Sequence, residues 1–301
     1  MKLNFLFFIF VFFFVVTSCV TELPFDEQST TIPVVNCVLT NDSIQKLSLT
    51  QSVKISAAYV FKEIKSAVIT LSMGDSMVGS FVRLGTDNWQ LKYTPQPGMQ
   101  YQLKVVLADG RILTASTVMP KRTSIYQKKE LDKYPSKNFV QYTSELPCWV
   151  VILRTDSMLL PKSRPTKKDA AKDNIGTDHP LADRFNQQGS LMGFIPTADT
   201  PQFLFYIRIQ SDSTAVVNGL PFKLQTNYGY HTFICFRTSS EEYDKYMKTS
   251  MQKIMMRLDD SDPIIWFDES KVFSNINNGT GIFAAYSDQF FNYNDDNSYF
   301  L

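Results

Sequence analysis

Residues 101–120 read YQLKVVLADGRILTASTVMP. Tyr101, Leu103, Val105 and Leu107 alternate largely with Gln102 and Lys104, the period-two pattern of a half-buried strand. Asp109-Gly110 stands between two apolar runs, and a type I′ turn needs positive φ at both central residues, which suits this pair. The stretch predicts a β-hairpin.

The alternation extends outward from there. Leu47 and Leu49 flank Ser48; Ala67, Ile69 and Leu71 alternate with Val68 and Thr70; Trp89, Leu91 and Tyr93 alternate with Gln90 and Lys92. Turn chemistry separates these runs at Met73-Gly74-Asp75, Gly85-Thr86-Asp87-Asn88 and Pro95-Gln96-Pro97-Gly98. About seven short strands at such spacing predict an N-terminal Ig-like antiparallel β-sandwich over 32–121, in a chain that is mainly β.

Residues 120–137 are polar and then basic, as at a junction. Residues 138–301 are expected to form a β-rich C-terminal domain with one amphipathic helix. Strands are read at 139–154, 203–210, 229–237 and 272–286, the last interrupted by Asn277-Asn278-Gly279-Thr280-Gly281. Residues 155–188 form a polar insertion. Lys162, Arg164, Lys167, Lys168 and Lys172 mark it as a solvated loop, with a face toward anionic lipid or glycan as the alternative. The helix is placed at 241–258, with Ser239 as N-cap and Glu242 completing a capping box. Tyr243, Met247, Met251, Ile254 and Leu258 make one apolar face, expected to pack on a sheet.

Placement rests on residues 1–19, MKLNFLFFIFVFFFVVTSC. Lys2 precedes an apolar run too short to span about 30 Å of hydrocarbon, so residues 1–18 read as a cleaved signal. Val16-Thr17-Ser18-Cys19 resembles the bacterial lipobox. Cys19 is then the lipidation site, a thioether anchor whose acyl chains hold the protein to a membrane. Residues 19–31 become a tether. Its acidic residues resemble a surface-export signal of Bacteroidota lipoproteins; a plain solvated linker is the other reading.

Composition narrows the function. With 44% hydrophobic and 14% aromatic residues the chain can pack a core, and a formal charge of +1 leaves no electrostatic footprint for nucleic acid. Cys37, Cys148 and Cys235 each sit in an apolar run and are expected to be buried thiols, one disulfide being the minority reading. Trp89, Trp149 and Trp266 lie in apolar context and are assigned to core rather than to glycan-stacking platforms. His179 and His231 have no metal-spaced partner, and HExxH, GxSxG and paired CxxC are absent. Gly279-Thr280-Gly281 is not a dinucleotide loop, because no helix N-terminus follows. Asp259-Asp260-Ser261-Asp262 lacks the Gly and distal Glu of an EF-hand and reads as a turn. Asp42-Ser43-Ile44, Asp75-Ser76-Met77, Asp156-Ser157-Met158 and Asp212-Ser213-Thr214 match the O-glycosylation pattern of Bacteroidota and also read as turns. No catalytic, cofactor or metal residues are assigned, and no enzymatic activity is expected.

Four features together resemble domain-of-unknown-function family 4249 of Bacteroidota lipoproteins. They are the lipobox; Tyr101-x-Leu103-x-Val105 running through Asp109-Gly110-Arg111 to Ala115-x-Thr117-x-x-Pro120; the helix start at 240–246; and Ser274-Asn275-Ile276-x-x-Gly279-x-Gly281-Ile282-Phe283. The resemblance implies an outer-membrane lipoprotein, commonly encoded near TonB-dependent transporters, and supplies no catalytic residues. The expected role is therefore a non-enzymatic accessory or binding component, lipid-anchored at the periplasmic face or cell surface. It would work with a TonB-dependent transporter in nutrient uptake, with a glycan or peptide as candidate ligand. A structural, fimbria-like or glycan-binding lipoprotein is the alternative.

Overall fold

The computed structural model describes residues 31–55, 58–85, 87–122, 124–129, 138–143, 146–155, 170–173, 176–177, 207–209, 220–223, 231–258 and 271–292. In chain order the first nine strands are β1 Ile32–Leu39, β2 Ile44–Ile55, β3 Ala58–Glu63, β4 Ala67–Met73, β5 Ser76–Ser80, β6 Val82–Arg83, β7 Asn88–Lys92, β8 Gln100–Leu107 and β9 Ile112–Val118. Then come β10 Ser124–Lys129, β11 Asn138–Thr143, β12 Cys148–Thr155, β13 Ala170–Asp173, β14 Gly176–Thr177, β15 Ile207–Ile209, β16 Leu220–Lys223 and β17 His231–Ser239. The helix α1, Glu241–Leu258, and the long strand β18, Thr280–Asn292, follow. The chain is mainly β with one helix among the described residues, as its alternation predicts.

The main sheet runs β13-β12-β17-β18-β1-β2-β7-β6, with β15 beside β12 and β3 beside β2. A second sheet, β5-β4-β8-β9, is antiparallel throughout, and β10-β11-β16-β14 form a third. The first two sheets face each other across one core. Val35, Cys37, Leu47, Leu49 and Phe283 come from one side, and Ile69, Leu71, Leu103, Val105 and Leu113 from the other. On β2, β4, β8 and β9 these residues alternate with exposed or half-buried neighbours, so one face supplies the apolar area that drives the packing, whereas Phe283 on β18 lies between buried Ile282 and Ala284.

The first and last described strands meet in the main sheet. β1 pairs with β2 antiparallel on one side and with β18 parallel on the other, from Val34↔Thr280 to Leu39↔Ala285. Farther along, β18 pairs antiparallel with β17. The sheet thus continues without a break from strands of 32–121 into strands of 138–301, and Phe283, Ala285 and Ile276 belong to the sandwich core.

Several local expectations are corrected. The β8–β9 hairpin forms, but its turn is not type I′. Gly110 has φ +86° while Asp109 is not in the positive-φ region. The Gly110 N–H donates to the Leu107 carbonyl and the Leu107 N–H to the Arg111 carbonyl, so a three-residue turn ends on a left-handed glycine. Asp109 instead accepts the Arg111 N–H at 3.0 Å and its Nε–H at 2.8 Å. The expected strand over 272–286 begins only at Thr280, and β10 occupies part of the expected junction. Two short strands, β13 and β14, lie within the polar insertion; its remaining residues after Thr155 fall outside the description. Cys37, Cys148 and Cys235 are buried thiols. Trp89 and Trp149 are buried, as assigned.

Candidate functional site

Among the described residues, a dense group of polar side chains lies where α1 crosses β17 and β18. Its register follows from the strands. Arg208, Trp149, Arg237 and Asp288 are successive cross-strand partners on β15, β12, β17 and β18, so they share the face that carries the helix.

The helix start explains how α1 is seated. Ser240 is the N-cap, not Ser239. Ser240 Oγ accepts the Tyr243 N–H at 3.3 Å and the Ala285 N–H at 3.2 Å, and the Ser240 N–H donates to the Ala285 carbonyl. Ser239 lies one residue early, in β17, where its hydroxyl donates to the Pro147 carbonyl. Glu242 therefore falls one position short of a capping box. Its Oε2 accepts the Thr117 hydroxyl of β9 at 2.8 Å, and Thr117 Oγ1 also lies 3.1 Å from Ser240 Oγ. A hydroxyl has one proton, so with Thr117 donating to the carboxylate, Ser240 becomes the donor between the two hydroxyls. Glu241, Glu242 and Asp244 all stand in the first turn, where the helix dipole favours negative charge.

From that turn Asp244 reaches down to the sheet. Arg208 Nε donates to its Oδ1 at 2.6 Å and Nη2 to its Oδ2 at 2.7 Å, and Trp149 Nε1 donates to Oδ1 at 3.0 Å. All three residues are buried. Arg237 makes a second bidentate pair, with Asp288 at 2.8 and 2.9 Å, and donates to the Tyr243 hydroxyl at 2.7 Å. Its guanidinium lies 3.6 Å from the Tyr286 ring centroid. Burial opposes the charge on Arg237, but the Asp288 carboxylate outweighs it and holds the guanidinium pKa well above its ordinary value. Burial also pushes the Tyr286 hydroxyl far up.

Two guanidinium groups and two carboxylates balance here, each already in a bidentate pair. Such a cluster has its charges paired internally. It acts as a polar clasp fastening α1 to the sheet, beside an apolar contact of Tyr243, Tyr246 and Met247 with Val38, Ile282, Ala284 and Phe273. That contact bears out the sheet-packing reading of the helix face as far as Met247; the side chains of Ile254 and Leu258 lie outside the description.

Two asparagine carboxamides perform a related task on β18. Asn41 accepts the Asp288 N–H and donates to its carbonyl, both at 3.2 Å. Asn275 does the same to Phe283, at 2.9 and 2.7 Å, and donates to the Ser116 carbonyl at 3.3 Å. The Asn277 N–H donates to the Thr114 carbonyl, and Asn278 Nδ2 to the Ile112 carbonyl at 3.0 Å. The outward carbonyls of β9, an edge strand, are thus covered by this asparagine-rich segment.

Residues 274–283 and 101–120 are thereby tied to one another through Asn275, Asn277 and Asn278. A protein family described as a domain of unknown function (DUF4249) matches residues 20–290. The chain belongs to this family. No curated protein and no solved structure matches it. In this DUF4249 chain the motif residues are those that join β9, α1 and β18 around the shared core.

Cys19, the assigned lipidation site, lies outside the described residues, as do His179, Trp266, the Asp259–Asp262 run and the Asp156 and Asp212 sites. His231 stands at the start of β17. Ser43 is exposed between β1 and β2, and Ser76 is exposed at the first position of β5. Among the described residues no group of three or more His, Cys, Asp or Glu side chains could hold a metal ion, and no helix is long and apolar enough to cross a membrane. Sequence reading missed the Arg208–Asp244 and Arg237–Asp288 pairs. The one local signal was a charged residue inside each apolar strand, as in Ile207-Arg208-Ile209.

Proposed function

We propose that this protein is an outer-membrane lipoprotein, anchored through Cys19, that serves as a non-enzymatic accessory or binding component of a TonB-dependent transporter in nutrient uptake. The observation that carries this reading is Val16-Thr17-Ser18-Cys19 at the end of a short apolar run. A cysteine placed there becomes a diacylglyceryl thioether and leaves the folded part attached to a bilayer. Membership in the DUF4249 family that the sequence resembles supports it, as does a polar cluster whose charged groups pair with one another to fasten the fold.

The test is a pull-down of the tagged protein from mildly solubilised outer membranes, with partners identified by mass spectrometry. A stoichiometric transporter barrel supports the accessory role. Recovery of the protein alone removes it and favours glycan binding or surface assembly. Cys19→Ala is expected to release the protein into the periplasm; persistence in the membrane fraction refutes the anchor.

A further inference from the structure

The geometry points to a bilayer-contact surface at one end of the sandwich, formed by Phe61 and Ile32 on one flank and by Val68 and Ile112 on the other. The inference rests on the lipid anchor proposed above and says how the anchored protein stands.

The chain enters the fold at this end. Arg111 Nη1 donates to the Thr31 carbonyl at 3.1 Å, tying the start of β1 to the tip of the β8–β9 hairpin. Ile32 and Ile112 directly follow the two bonded residues. Each leaves the core on an outer face, with exposures of 42% and 43%. Across the main sheet Ile32 pairs with Ser52, and Ser52 with Phe61, which is 64% exposed. Across the second sheet Val68 pairs with Val106, and Val106 with Ile112; Val68 is 60% exposed. Four large apolar side chains therefore rim one end of the sandwich, on both flanks.

The pairing of β2 with β3 continues past Ser52↔Phe61 to Ile55↔Ala58, so this hairpin extends beyond the first residue of β1. At its base the exposed Phe61 stands with exposed Lys62 and Lys65. That is the composition that lodges at the headgroup boundary and attracts anionic lipid. About 12 peptide units separate Cys19 from Thr31 and reach at most ~40 Å when fully extended. They join the fold at the end where Thr31 sits, so the apolar rim there lies within the anchor's reach of lipid.

The test uses the full lipidated protein, produced in a lipoprotein-processing host and reconstituted into phosphatidylethanolamine–phosphatidylglycerol vesicles with brominated acyl chains. Three single variants report position: Phe61→Trp, Ile112→Trp and, as control, Met77→Trp. Met77 pairs with Ser72 toward the far end of the second sheet, away from Ala67↔Leu107. Flotation establishes attachment first. The expected result is co-flotation, with the added fluorescence of Phe61→Trp and Ile112→Trp quenched at least twofold and that of Met77→Trp unchanged. Co-flotation with none quenched, or with all three quenched alike, overturns the contact surface and leaves the anchor intact. Failure to float overturns the anchor and this inference with it.

Discussion

Gly281 lies against Val35 so closely that a Cβ on it would stand 2.0 Å from the Val35 carbonyl oxygen. Its φ of +112° is also one that side-chain-bearing residues rarely adopt. Both facts follow from the point at which β18 turns in beside β1. Gly281→Ala is expected to cost more than ~4 kcal/mol, because the obstacle is backbone rather than a movable side chain. Gly110→Ala, where nothing lies within 4 Å, should cost only ~1–2 kcal/mol from its left-handed backbone. Urea unfolding of the two variants separates the cases.

Removing one partner of the buried Arg208–Asp244 pair strands the other. Arg208→Met is expected to destabilise by ~3–5 kcal/mol, and adding Asp244→Leu to recover most of that loss. A double-mutant cycle by urea denaturation measures it. Additive losses would show that the pair contributes nothing as a pair.

Asn275 works by offering a donor and an acceptor at once. Asn275→Asp keeps the shape but turns an oxygen toward the Phe283 and Ser116 carbonyls, and should cost ~2–3 kcal/mol at neutral pH. The loss should shrink as pH falls and the carboxyl regains a proton to donate. Thermal melts at pH 7 and pH 4 give the comparison.

Asp109 carries a pH dependence of definite sign. Its hydrogen bonds from Arg111 lower its pKa below the ordinary 3.8. The folded state therefore gains stability from this group above the ordinary value and loses it as pH falls through the lowered one. An NMR titration should find the Asp109 carboxyl titrating below 3.8, and Arg111→Met, which keeps the backbone N–H bond but removes the guanidinium, should raise it toward the ordinary value.

How much of this could be read beforehand depended on the distance along the chain. Asp109-Gly110 revealed a hairpin because the pairing is local, and the buried thiols of Cys37, Cys148 and Cys235 followed from their apolar neighbours. Even there the turn type was misread, since Asp109 caps Arg111 instead of taking positive φ. Ser239 and Ser240 are adjacent and chemically alike, and only the Ala285 amide decides between them. The parallel pairing of β1 with β18 and the alignment of Arg208, Trp149, Arg237 and Asp288 left no local trace. Gly279, Gly281 and Asn275 were visible as a motif, but their purpose depends on Leu113, Val35 and Ser116, which lie far away in sequence.

Asn41 and Asp288 touch although 247 positions separate them. A ribosome delivers β1 long before its parallel neighbour, so the strand carrying Val35 and Cys37 waits with one edge open until β18 arrives. Pairings so distant in sequence slow folding, because loop-closure entropy is lost before the contact compensates for it. The sandwich can therefore close only after nearly the whole chain has been made, and during that interval its first strands are open to pairing with other chains. A stop codon before Thr280 would leave a sticky edge rather than a smaller version of the protein.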